Sequence, residues 1–126
     1  LDILKQAGLI KEEKIRNIIV EVLTKSNITL DKIILFGSRA RGDFNEESDF
    51  DILIIIRNNV KINQKRKIWQ DIFNALHKHF PFTPFDIIIK TLNDFESEKN
   101  VVNTISNEAY IEGEIIFYKT ERYYGI

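Results

Sequence analysis

Apolar and polar positions alternate in distinct rhythms along the chain, and the rhythms divide it into elements. From Lys11 to Lys25, Ile15, Ile18, Ile19, Val22 and Leu23 recur at the three- and four-residue intervals of one helix face, with charged residues between them. The preceding stretch "LDILKQAGLI" is apolar but has no period; it either packs on the core or touches another subunit. After the breaker "SNITLD", the short β-branched run Lys32 to Phe36 predicts a strand that ends at Gly37 and Ser38. "SRARGDFNEES" is polar and predicts a loop or one short helical turn. "DFDILIII", Asp49 to Ile56, predicts a strand whose two faces are both covered, because both parities are apolar after Asp51.

Ile68, Trp69, Ile72, Phe73, Leu76 and Phe80 return to helical spacing and predict a long helix over about 63–79. "PFTP" breaks it, and Phe85 to Lys90 predicts a third strand. Thr91 suits the cap of a short turn or helix starting at Leu92. Val101, Val102, Ile105 and Ala109 predict a helix from about Glu98 to Tyr110, stopped by Gly113, and "EIIFYK" predicts a fourth strand. The order of elements argues for one α/β (α+β) domain over residues 1–126, with a single small sheet.

Composition narrows the function. A content of 44% hydrophobic and 29% charged residues is globular, and 126 residues suit one core. A net charge of −1 with mixed signs predicts no strong grip on nucleic acid. The absence of cysteine excludes disulfides and thiolate metal sites, which fits a cytoplasmic location. No apolar run approaches the ~20 residues of a membrane span. The chain starts at Leu1 and contains no methionine.

The candidate chemistry lies between Gly37 and Asp86. Asp49 and Asp51 stand two apart on the predicted strand, so their carboxylates share a face and repel unless a cation or a proton intervenes. Glu46, Glu47 and Ser48 precede them and supply no positive charge. Asp86 opens the third strand among apolar neighbours and completes a carboxylate cluster if the two strands are adjacent. All-oxygen donors favour Mg²⁺ or Mn²⁺ over zinc, and such clusters serve in-line displacement on phosphorus. Gly37 allows backbone N–H groups to approach an anion, and Ser38 adds a hydroxyl. Arg39 and Arg41 are candidates to neutralise phosphate charge, and Ser48 to orient the loop or touch a phosphate. His77 and His79 read as surface or helix-end residues, Trp69 as core, and "KINQKRK" as a solvated helix start.

Gly37-Ser38, ten intervening residues and Asp49-x-Asp51 resemble the signature of the nucleotidyltransferase superfamily that shares its core with DNA polymerase beta. The fuller string "GSRARGD…SDFDILI" resembles the minimal nucleotidyltransferases of prokaryotes, small proteins often paired with a HEPN-type toxin. The resemblance covers about Lys32 to Lys90. It implies a small mixed four-stranded sheet flanked by helices. It also implies terminal phosphates on Gly37 and Ser38, Mg²⁺ on Asp49, Asp51 and Asp86, and Asp86 helping to deprotonate the attacking hydroxyl. The implied reaction moves AMP from ATP to a tyrosine of the toxin partner, which makes the chain the antitoxin. Two alternatives stay open: transfer to a small molecule such as an aminoglycoside, and neutralisation by binding alone. A chain of this length has no room for an acceptor-binding domain, so the acceptor comes from another chain or from a second copy of this one.

Overall fold

A computed structural model describes residues 3–45 and 48–119. Four strands form one sheet in the order β3-β2-β1-β4, with β1 Leu30–Phe36, β2 Phe50–Ile56, β3 Phe85–Thr91 and β4 Glu114–Tyr118. β1 runs antiparallel to both β2 and β4, whereas β2 and β3 are parallel. The parallel pair needs a crossover, and helix α3, Ile62–His79, supplies it. The mixed sheet flanked by helices is the architecture expected from the sequence.

β2 is central and its residues Ile52 to Ile56 are fully buried, which explains the unbroken apolar run. Ile52, Ile54 and Ile56 face helices α1, Ile3–Lys25, and α3, together with Ile33, Leu35, Ile87 and Ile89. Ile68, Ile72 and Leu76 of α3 and Ile15, Ile19 and Leu23 of α1 close this layer. The Trp69 indole N–H donates to the Ile87 carbonyl at 2.8 Å and its ring stacks on Phe73, fixing α3 to β3. The opposite face carries Ile34, Phe36, Leu53 and Ile55 and is covered by the shorter helices α4, Leu92–Glu98, and α5, Ile105–Glu112, through Phe95 and Ala109. These two helices are too short to cover that whole face, so it stays open near the start of β2 and β3.

Replacing Ile54 by alanine leaves a hole in the tightest layer and is expected to cost about 2–5 kcal/mol in chemical denaturation. The same change at the half-exposed edge residue Ile115 is expected to cost under about 1 kcal/mol.

Two boundaries differ from the sequence reading. α1 begins at Ile3 rather than Lys11. Its first two turns leave Ile3, Leu9 and Ile10 exposed, so they show no buried stripe even though the backbone is helical. The helix expected over 98–110 starts only at Ile105, after a turn that separates α5 from α4. Asn103 takes φ 70° between them, a left-handed conformation that a helix interior does not tolerate. Thr104 then caps α5 by accepting from the Asn107 N–H at 3.0 Å. Val101 and Val102, which suggested a longer apolar stripe, lie in the exposed turn.

Candidate active site

The open end of the sheet gathers the residues singled out by the sequence. β1 ends at Phe36, and Gly37 follows with φ 72° and ψ −154°, a combination essentially restricted to glycine. The chain then makes one helical turn, α2, Ser38–Arg41, in which the Arg41 N–H donates to the Gly37 carbonyl at 3.1 Å. Gly42 ends the turn in the left-handed region.

Phe36 is the register partner of Asp51 across β1 and β2, and Asp51 is the register partner of Asp86 across β2 and β3. The two aspartates therefore stand side by side on one face, the face that α4 and α5 leave open. The Phe50 N–H donates to the Pro84 carbonyl at 3.1 Å, and the Phe50 and Phe85 rings stack with centroids 5.8 Å apart. Both contacts hold the register that pairs the carboxylates. Gly37 lies beneath Asp51: a methyl group at position 37 would collide with the Asp51 Oδ2. The acid and the glycine turn are one unit of structure.

Asp49 lies just outside β2 and is exposed, where the sequence reading put it on the strand. The pleat that aligns Asp51 with Asp86 stops at Phe50 and does not orient Asp49. The structure pairs Asp51 with Asp86 in register and leaves Asp49 on the loop residue just before β2. Among the described residues no three acidic or imidazole groups stand close enough together to hold a metal ion by themselves. They do stand within electrostatic range. Burial pushes the Asp51 carboxyl above its usual range, and the charges of Asp86, Asp49 and Glu108 push it further; Arg41 pulls it back.

The two arginines of α2 point in different directions. Arg41 is exposed and pairs with Asp43 at 3.4 Å and with Glu112 of α5 at 3.6 Å. Arg39, expected from the sequence to face phosphate, is buried. Its guanidinium lies between the rings of Phe50 and Phe44, 4.1 and 4.6 Å from their centroids. Its Nη2 donates to the Ser48 carbonyl at 3.0 Å. Ser48 in turn accepts the Asn45 N–H on its hydroxyl at 3.0 Å and donates its own N–H to the Asn45 carbonyl at 3.2 Å. Arg39 and Ser48 thus clamp the loop that delivers Asp49. Glu46 and Glu47, inside this loop, lie outside the described residues. Gly8 of α1 packs 3.5 Å from the Phe44 ring by the position a Cβ would take, so the first turns of α1 support the same loop.

Three acids near this end carried no signal in the sequence. Glu108 and Glu112 sit on α5, whose docking against β1 is a tertiary event that no local pattern announces. Glu12 of α1 is half-buried. Burial, and then the charge of Glu114, push its carboxyl from 4.5 up to about 7, against the pull of Arg39. The folded state therefore holds this proton more tightly than the unfolded chain. Stability attributable to Glu12 is full below pH 4.5 and falls as pH rises to about 7. Glu12→Gln is expected to be more stable than the parent by on the order of 1 kcal/mol at about pH 8, after allowance for solvent screening. The two should converge near about pH 4 in urea titrations.

The fold and this site define a class of nucleotide-transferring enzyme cores. The chain matches the nucleotidyltransferase domain family over residues 11–113 and belongs to that family. Among curated sequences it is similar to two proteins of Methanocaldococcus jannaschii that carry the provisional name protein adenylyltransferase. It is 54% identical to MJ0141 over 39 residues, 31% of this chain and 39% of that protein, and 49% identical to MJ0604 over 45 residues, 36% and 45%. These matches span less than half the length of either relative. Among solved structures, a chain of a toxin–antitoxin complex with AMP-PNP superposes with a TM-score of 0.54 at 20% identity, over 83% of this chain and 74% of that one. A chain from the complex of a tri-AMPylated Shewanella oneidensis HEPN toxin with its MNT antitoxin gives 0.53 at 15% identity, over 89% and 73%. At these identities the likeness establishes the shared fold.

Proposed function

We propose that the chain is a Mg²⁺-dependent nucleotidyltransferase that moves AMP from ATP onto a protein hydroxyl, acting as the antitoxin that modifies a tyrosine of a HEPN-type toxin. The observation that carries this reading is the register pairing of Asp51 with Asp86, with Asp51 seated directly over the Gly37 turn. The similarity to protein adenylyltransferases and to toxin–antitoxin chains supports the choice of AMP and of a protein acceptor.

The donor set suits a hard cation. It consists of carboxylate oxygens only, its charges raise the proton affinity of Asp51, and Mg²⁺ completes its shell with phosphate oxygens rather than with a closed protein cage. Asp51 and Asp86 would hold the ion, with Asp49 joining from the loop that Arg39 and Ser48 clamp. When bound, Mg²⁺ supplies charge neutralisation at the α-phosphate and at the departing pyrophosphate. Gly37 and Ser38 cradle the terminal phosphates and orient the α-phosphorus. Asp86, exposed where Asp51 is partly buried, accepts the proton of the acceptor hydroxyl. The hydroxyl oxygen bonds to the α-phosphorus as the bond to the bridging oxygen breaks, and pyrophosphate leaves with the electron pair. Arg41 offers its guanidinium to the departing charge.

Incubation with ATP, Mg²⁺ and the product of the neighbouring gene, followed by intact-mass measurement, should show AMP units added to that product and none when EDTA is present. Modification of aminoglycosides instead would move the acceptor to small molecules. Full neutralisation of the partner by the Asp49→Ala/Asp51→Ala variant without ATP would reduce the chain to a binding module.

A further inference from the structure

We propose that the groove along the outer face of α5 is the docking site for the acceptor protein. Its occupant is a segment with apolar side chains and a lysine or arginine beside the hydroxyl to be modified. The proposal rests on the nucleotidyl-transfer reading and names the chemistry of its second substrate. Ser106 and Ala109 turn inward from α5 and are buried, whereas Ile105, Glu108, Ile111 and Glu112 turn outward. With the exposed turn before the helix they line a groove of about 440 Å³. Val102 is 74% and Ile111 69% exposed there, and clustered apolar side chains of this size beside a reactive site mark a contact surface.

Two links join this groove to the reacting centre. The charge of Glu108 acts directly on Asp51, and Glu112 pairs with Arg41 of the turn that follows Gly37. The groove therefore borders the reacting centre on the α5 side. Glu108 and Glu112 make the lip acidic, which repels nucleic-acid phosphates and attracts basic side chains. Apolar walls and an acidic lip together select a polypeptide with mixed apolar and basic character.

The test uses two fluorescein-labelled peptides of equal length centred on tyrosine, one flanked by leucine and arginine and the other by leucine and glutamate. Binding is followed by anisotropy, both to the parent chain and to Asp51→Asn, so that the measurement does not depend on turnover. The basic peptide should bind at least about tenfold more tightly than the acidic one, with the margin shrinking as salt is added. Val102→Ser/Ile111→Ser should weaken the basic peptide by about tenfold and leave the affinity for a fluorescent ATP analogue within about twofold, and Glu112→Gln should weaken the basic peptide by about tenfold. Thermal melts should show these exposed-site variants folded. Equal binding of the two peptides overturns the proposal. Loss of ATP-analogue affinity in Val102→Ser/Ile111→Ser also overturns it and makes the groove a nucleotide pocket. Failure of the transfer reading is a separate result: the basic peptide binds, yet its mass gains no AMP with ATP and Mg²⁺.

Discussion

Asp51→Asn is expected to lower AMP transfer by about 10²–10³ or more while making the fold more stable. The loss follows from its position: it is the register partner of Asp86, its carboxylate fills the space over Gly37, and it would hold the charge that the transition state needs. The gain follows from the same environment. Burial and three neighbouring acids raise the Asp51 carboxyl above its ordinary 3.8, so the ionised form weighs against the folded state. That penalty is absent below the ordinary value and grows as pH rises through the raised one. The neutral amide removes it near neutrality. The gain should show as a rise in the melting temperature at about pH 7, reduced by solvent screening because Asp51 is only partly buried. It should vanish near about pH 3. Adding Mg²⁺ with ATP should raise the melting temperature of the parent and leave the variant unmoved. A variant that is inactive and also less stable at pH 7 would contradict the assignment of Asp51 as a charge held against the preference of the fold.

Gly37→Ala is the second large effect. The residue combines φ 72° with ψ −154°, and an added methyl meets Asp51 Oδ2. The backbone strain costs about 1–3 kcal/mol. The displaced carboxylate should reduce transfer by about 10² or more, because the acid leaves the position it shares with Asp86. Gly42→Ala separates the two causes. Gly42 also has positive φ, at 84°, but nothing lies within 4 Å of the space a Cβ would take. It should lose about 1–2 kcal/mol of stability and keep most of its transfer activity. Parallel urea denaturation and rate measurements on both variants give the comparison. Equal activity losses would mean that backbone strain alone, rather than the collision with Asp51, disables the site.

Much of this arrangement was legible in the sequence because it is local. Strands of β-branched residues announce themselves, the glycine and the two aspartates flank them at fixed offsets, and the α3 stripe of Ile68, Ile72 and Leu76 has a helical period. Adjacency of β2 and β3, on which the pairing of Asp51 with Asp86 depends, was an inference about topology rather than a local signal. The structure supplies it through a parallel register. What escaped the sequence was decided by tertiary contacts. Arg39 and Arg41 are alike in type and two apart, yet one is drawn inward by Phe44 and Phe50 and the other faces Glu112. The start of α1 was hidden because its first turns bury almost nothing. The late start of α5 was hidden because Val101 and Val102 continue an apolar rhythm through the turn before it. The signal that should have outweighed them was Thr104, a capping residue three positions before Asn107.

Trp69 is the sole tryptophan of the chain, and it is tethered to the carbonyl of the residue that directly follows Asp86. Its intrinsic emission is thus a label-free optical probe of how the third strand is seated. Any ligand that tugs on Asp86 is one peptide unit and one hydrogen bond away from that chromophore, so titrating nucleotide against fluorescence would follow site occupancy in real time without a dye or a radioisotope.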